Sequence, residues 1–141
     1  MYEYRCTVVK IIDGDTVDVD IDLGFGVWLK KERIRLFGID TPESRTRDLE
    51  EKKYGLKAKE YLTNMLNDEG GIRLKTRKDK EGKYGRILGE LWRSTNFADQ
   101  SINQYLIDTH NAVAYHGQSK ESIEEQHIAN RAKVDLNESI T

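Results

Sequence analysis

The sequence is poor in most of the residues that mark special classes of protein. Its 141 residues include one Cys, one Pro and three His. A single Cys6 excludes an internal disulfide, and so few Cys and His argue against a zinc centre. No stretch approaches the ~20 apolar residues of a membrane span, so no membrane partner is expected. The opening Met1-Tyr2-Glu3-Tyr4-Arg5 has no apolar run of the secretory type, which makes a cytoplasmic protein the expectation. Repeats and low-complexity tracts are also missing. So is an excess of one charge: 23 basic and 25 acidic side chains leave a formal net charge of −2.

What is present suffices for one folded domain. Seven Tyr and two Trp speak for a packed core, and a chain of this length can bury ~70% of its unfolded surface. We expect a single domain over residues 1–136, with 137–141 as a tail. The near-zero net charge by itself argues against a nucleic-acid partner. It hides a pattern, because residues 71–93 hold eight basic side chains against three acidic ones, while both flanks are net acidic.

The strand signals come first. Residues 7–12 are rich in β-branched side chains, and Asp13-Gly14-Asp15 signals a turn. Beyond it Val17, Val19, Ile21 and Leu23 alternate with Thr16, Asp18, Asp20 and Asp22, the pattern of a half-buried strand. Gly24-Phe25-Gly26 turns the chain into a returning strand over residues 27–37, so the first three strands form a meander. Polar residues 44–53 read as an exposed loop. A helix is expected over residues 56–67, where Ala58, Tyr61, Leu62, Met65 and Leu66 follow helical spacing. Strands over 72–76 and 87–92 flank a turn at 80–83, with Trp92 expected in the core. Two helices follow, one marked by Ile102, Tyr105 and Leu106, the other over 122–133 with Ser122 and Glu125 at capping-box spacing. Five short strands in the order β-β-β-α-β-β-α-α, α+β but mainly β, fit a small, partly open Greek-key barrel of the OB type with three helices.

Three segments at strand ends concentrate polar chemistry: Asp13-Gly14-Asp15-Thr16, the run from Arg35 to Glu43, and Lys83-Tyr84-Gly85-Arg86. Carboxylates can hold a hard cation, and planar guanidiniums match phosphate oxygens in pairs. A Glu nearby can accept a proton from water. Each segment alone reads equally as turn chemistry. Asp18-Val19-Asp20-Ile21-Asp22 resembles the start of an EF-hand loop, but Leu23 and Leu29 occupy the positions that need Gly and Glu. No His has a sequence-near carboxylate or Ser that forms a triad, and His127 reads as a packing or capping residue of the last helix. Trp28 reads either as a hairpin anchor or as an exposed stacking surface.

Taken together and in order, Ile12-Asp13-Gly14-Asp15-Thr16-Val17, Arg35-Leu36, Asp40-Thr41-Pro42-Glu43 and Lys83-Tyr84-Gly85-Arg86 resemble the staphylococcal nuclease family. The resemblance spans nearly the whole chain. It implies a five-stranded OB barrel and calcium-dependent hydrolysis of DNA or RNA on the 5′-oxygen side, leaving 3′-phosphates. On these positions it implies that Asp15 and Asp40 ligate Ca²⁺ through their side chains and Thr41 through its carbonyl, with Asp13 behind them. Glu43 would act on the attacking water, and Arg35 and Arg86 on the scissile phosphate. Lys83 and Tyr84 would touch a neighbouring phosphate, and Tyr115 a base. The resemblance is greatest to intracellular phage- or plasmid-borne members. A monomer acting on single strands is expected. The alternative is a non-catalytic nucleic-acid- or protein-binding barrel of the same family, which would have no reason to keep the full set of acids and arginines.

Three features depart from the family pattern. The hairpin over residues 22–31 is long and carries Phe25, Val27 and Trp28. The loop after Glu43 adds Arg45 and Arg47, and the partner expected beside Tyr115 falls on Gly117.

Overall fold

The computed structural model describes residues 2–77, 86–95 and 99–137. The expected turn at 80–83 and the tail beyond Asn137 lie outside them. Strands β1 (Glu3–Asp13), β2 (Thr16–Gly24) and β3 (Val27–Leu36) form the meander read from the sequence. β4 (Ile39–Asp40) follows, then helix α1 (Leu49–Leu66), β5 (Ile72–Arg77), β6 (Ile87–Arg93), α2 (Ile102–Asp108), β7 (Val113–Ala114) and α3 (Lys120–Arg131).

The five long strands close in the order β1-β2-β3-β6-β5. The barrel was expected to be partly open. It closes because β1 pairs with β5 and β3 runs parallel to β6, with Ile34 opposite Ile87 and Arg35 opposite Leu88. The alternation seen in the sequence fills the interior. Val17, Val19, Ile21, Ile34, Leu36, Leu74 and Leu91 are all buried, and Leu62 of α1 and Leu106 of α2 cover the barrel. Leu23 has the right parity but is exposed, because the β2–β3 hairpin runs on past the core. Val27, Trp28 and Leu29 are exposed with it, and Phe25 stands fully in solvent. Trp28 is therefore no anchor. Trp92 is only partly buried, on the outer face of β6, with the Lys75 ammonium 4.0 Å from its ring centre.

Two helix starts differ from expectation. α1 begins at Leu49, not near residue 56, because Asp48 caps it and accepts from the amides of Glu50 and Glu51. Its first turns face water, so they carry no apolar periodicity. α3 begins at Lys120 with Ser119 as its cap, one turn before the Ser122 expected.

Two polar residues fasten the barrel's covering layer. Buried Asn103 of α2 donates to the carbonyls of Phe37 and Gly89 and accepts from the amide of Leu91, bridging the β3–β6 seam. Asp68, after α1, accepts from the Gly70 amide and from the amide and hydroxyl of Thr95. The Thr95 hydroxyl bond dominates, and with the two amides and Arg93 it outweighs burial and holds the Asp68 carboxyl well below its ordinary value. A carboxyl depressed in the fold stabilises it fully above the unfolded value and less as pH falls. We therefore expect the wild type to lose stability on acidification below 3.8 more steeply than Asp68→Asn, in urea melts taken across that range.

Candidate active site

The site forms where β2 begins, β3 ends and the short β4–β7 pair crosses beside them. Asp15 is drawn in from the turn before β2. Its Oδ1 accepts from the Thr16 hydroxyl at 3.0 Å and its Oδ2 from the Thr41 amide at 3.1 Å. Its carbonyl accepts from the Leu36 amide at 2.8 Å, which ties the turn to the end of β3. Asp40 sits on β4, opposite Val113 of β7.

Arg35 joins the two acids. Its Nη2 lies 3.4 Å from Asp15 Oδ2 and 3.5 Å from Asp40 Oδ1, and its Nη1 donates to the Leu36 carbonyl at 3.0 Å. Two carboxylates thus converge on one guanidinium nitrogen in a partly buried place, where charges interact more strongly than in bulk water. Thr41 is buried, and its hydroxyl oxygen has no partner among the described residues. Gly14 makes room for it, since a Cβ there would lie 3.0 Å from Thr41 Oγ1 and 2.8 Å from the Ala58 Cβ.

Among the described residues no cluster of three or more His, Cys, Asp or Glu side chains forms. The donors at hand are the oxygens of Asp15, Asp40 and Thr41. An all-oxygen set with two side-chain carboxylates fits a hard cation that keeps waters and does not fit a soft one.

Glu43 reaches solvent on the loop that follows Pro42, while Ser44 beside it is buried. The loop is pinned on both sides. The Glu43 amide donates to Glu51 Oε2 of α1, and Ser44 donates both its amide and its hydroxyl to Asp13 Oδ1. Asp13 therefore fastens the loop that carries Glu43. Gly55 allows α1 to approach. A Cβ on it would fall 2.2 Å from the Glu43 carbonyl oxygen and 2.6 Å from the Ser44 nitrogen.

Arg86 directly precedes β6, whose first residue, Ile87, pairs with Ile34, the neighbour of Arg35. Lys83 and Tyr84 lie outside the described residues. Tyr115 is half exposed, and its amide donates to the Gly38 carbonyl at 2.7 Å. Gly117 has φ +93°, a backbone state that residues with side chains rarely adopt. Arg45 and Arg47 are exposed. Cys6 is buried in the barrel, which pushes its thiol up to about 12.

One site residue was read differently from the sequence. His127 of α3 does not merely pack or cap: its Nε2 lies 2.7 Å from Asp40 Oδ2. The contact spans 87 positions of sequence, and no local spacing announces it.

The barrel thus brings Asp15, Arg35 and Asp40 into contact at one end. The chain belongs to the staphylococcal nuclease family, whose model, described as staphylococcal nuclease homologue, matches residues 33–136. It is 33% identical over 100 residues to the thermonuclease of Staphylococcus hyicus, covering 71% of this chain and 55% of that protein. It is 34% identical over 85 residues to the thermonuclease of Staphylococcus intermedius, covering 60% and 46%. Protein ParB of Escherichia coli is 33% identical over 124 residues, covering 83% and 62%. The chain thus spans about half the length of the two thermonucleases it matches. No helix among the described residues is long and apolar enough to cross a membrane.

The absence of a side chain at residue 55 makes a prediction. Gly55→Ala should cost roughly 1–3 kcal/mol of stability by overpacking. It should also free the Glu43 and Ser44 amides, read as faster hydrogen exchange at those two positions than in the rest of the loop-bearing domain.

Proposed function

We propose that this protein is a metal-dependent nuclease that hydrolyses phosphodiester bonds of DNA or RNA. The observation that carries this reading is the convergence of Asp15 and Asp40 on Arg35, beside a pinned loop that presents Glu43 to solvent. The names of the thermonuclease relatives support it. A non-catalytic module of the same fold would gain nothing from two carboxylates placed where a phosphate must come, since without a cation they repel it.

The residues divide the work. Arg35 and Arg86 bind the scissile phosphate and meet the charge that grows on its oxygens, as planar forks do in pairs. Glu43, held at the backbone by Glu51 and Asp13, orients the attacking water and takes its proton. Asp15 and Asp40, with the Thr41 carbonyl, would hold Ca²⁺. The cation, when bound, neutralises phosphate charge and orients water. Arg35 keeps the two acids close together in the absence of other positive charge. Cleavage on the 5′-oxygen side leaves a 3′-phosphate. Lys83 and Tyr84 contact the adjacent phosphate, and Tyr115 offers a half-exposed ring to a base. The protein acts as a monomer in the cytoplasm and prefers single strands, which enter a cleft more readily than duplex.

Removing a participant should expose its role. Glu43→Gln, Arg35→Ala and Arg86→Ala are each expected to lower turnover on single-stranded DNA by about two orders of magnitude or more, with thermal melts showing folded protein. Near-wild-type rates in a gel assay would reject the assigned role.

The cation is tested separately. Digestion of linear DNA, circular DNA and RNA should proceed with Ca²⁺ and stop with EDTA. Full activity with Mg²⁺ or Mn²⁺ and none with Ca²⁺ would overturn the choice of ion, and full activity in EDTA the metal requirement.

A further inference from the structure

We infer that His127 is a positioning residue for Asp40 and that α3 is the arm that brings it there. This rests on the cation site proposed above and adds to it a residue that makes no contact with the cation.

Asp40 has weak support of its own. It lies on a strand of two residues paired only with another of two, and about a third of its side chain is exposed. The terminal torsion of an Asp side chain is broad and nearly two-fold, so one partner on one oxygen leaves the carboxylate plane free. Here each oxygen has its own partner. Oδ1 faces Arg35 Nη2 at 3.5 Å, and Oδ2 faces His127 Nε2 at 2.7 Å. An ionised carboxylate only accepts, so Nε2 carries the hydrogen. The shorter bond fixes Oδ2 outward to α3 and thereby leaves Oδ1 on the side of Asp15.

α3 docks there lightly. It buries no residue of its own. It lies across a narrow crevice from Pro42, Tyr54 and His110, and Arg131 places its guanidinium 5.6 Å from the Tyr54 ring centre. The His127 side chain is only 13% exposed and is directed at Asp40. Partners that orient a ligating carboxylate commonly govern metal affinity by 10–100-fold.

The experiment compares wild type with His127→Phe, which keeps bulk and removes the donor, and His127→Gln, which restores a donor at similar reach. Arg131→Ala, which removes the contact with the Tyr54 ring and leaves the His127 bond in place, serves as the contrast. Ca²⁺ binding to the protein alone is read by titration calorimetry, and the Ca²⁺ concentration for half-maximal cleavage is read in parallel. The expected result is a 10–100-fold weakening of Ca²⁺ binding in His127→Phe, substantial recovery in His127→Gln, and little change in Arg131→Ala. Unchanged affinity in His127→Phe overturns the inference while leaving the cation site intact. Equal weakening in Gln and Phe, or in Arg131→Ala and Phe, also overturns it, because the hydrogen bond is then not what matters. A wild type that binds no Ca²⁺ rejects the cation site itself.

Discussion

Two carboxylates held close together in a partly buried place require positive charge between them. Most of this structure can be read as a consequence of that requirement. Asp15 is fixed by the Thr41 amide and the Thr16 hydroxyl, and Asp40 by its place on β4. Neither can leave, so Arg35 spans them from the end of β3. The barrel below supplies the rigidity. Ile34 and Leu36, which bracket Arg35, are fully buried, and the Leu36 amide is bonded to Asp15. The charged residue is thus held by its neighbours' burial, which lets an otherwise mobile guanidinium serve as a fixed countercharge.

Around this centre the protein uses backbone where a side chain would be too mobile. Glu43 is exposed, and its position is set by its own amide and by that of Ser44. The glycine at residue 55 lets α1 press against that same backbone. The end of the barrel that carries the two acids therefore depends also on α1 and on Asp13 of the β1–β2 turn. Asn103 plays a comparable part on the other side, where it satisfies three backbone groups at the seam between β3 and β6. Loss of a buried polar bridge of this kind leaves its partners unpaired, which costs more than the bond itself contributes.

The barrel was largely legible in the sequence because its signal is local. Val17, Val19 and Ile21 alternate with acids along one strand, and the alternation fixes which face is inside. Asp15, Arg35 and Asp40 were legible as types at strand ends, and the fold brings them together as their order implied. What could not be read depends on contacts across long stretches of chain. The His127 ring meets Asp40 only because α3 folds back over β4, and nothing within a helical turn of His127 signals it. The first turns of α1 were read as loop because a solvent-facing turn has no apolar period. Asp48, Glu50 and Glu51 were the available sign, a capping acid followed by acids in the first turn. Leu23 and Trp92 misled for the opposite reason. Their apolar character promised burial, but one lies beyond the end of the core and the other on its outer face.

The double pinning of the Glu43 loop separates what the chain must preserve from what it can vary. Ser44 is tied to Asp13, and Asp48 starts α1 four residues later. Between these anchors residues 45–47 span the gap, and Arg45 and Arg47 project into solvent. Insertions, deletions or reversals of charge in that stretch leave both anchors in place. The loop can thus diverge in length and electrostatics during evolution, reshaping the approach to the cleft, while the carboxylate that faces water stays where it is.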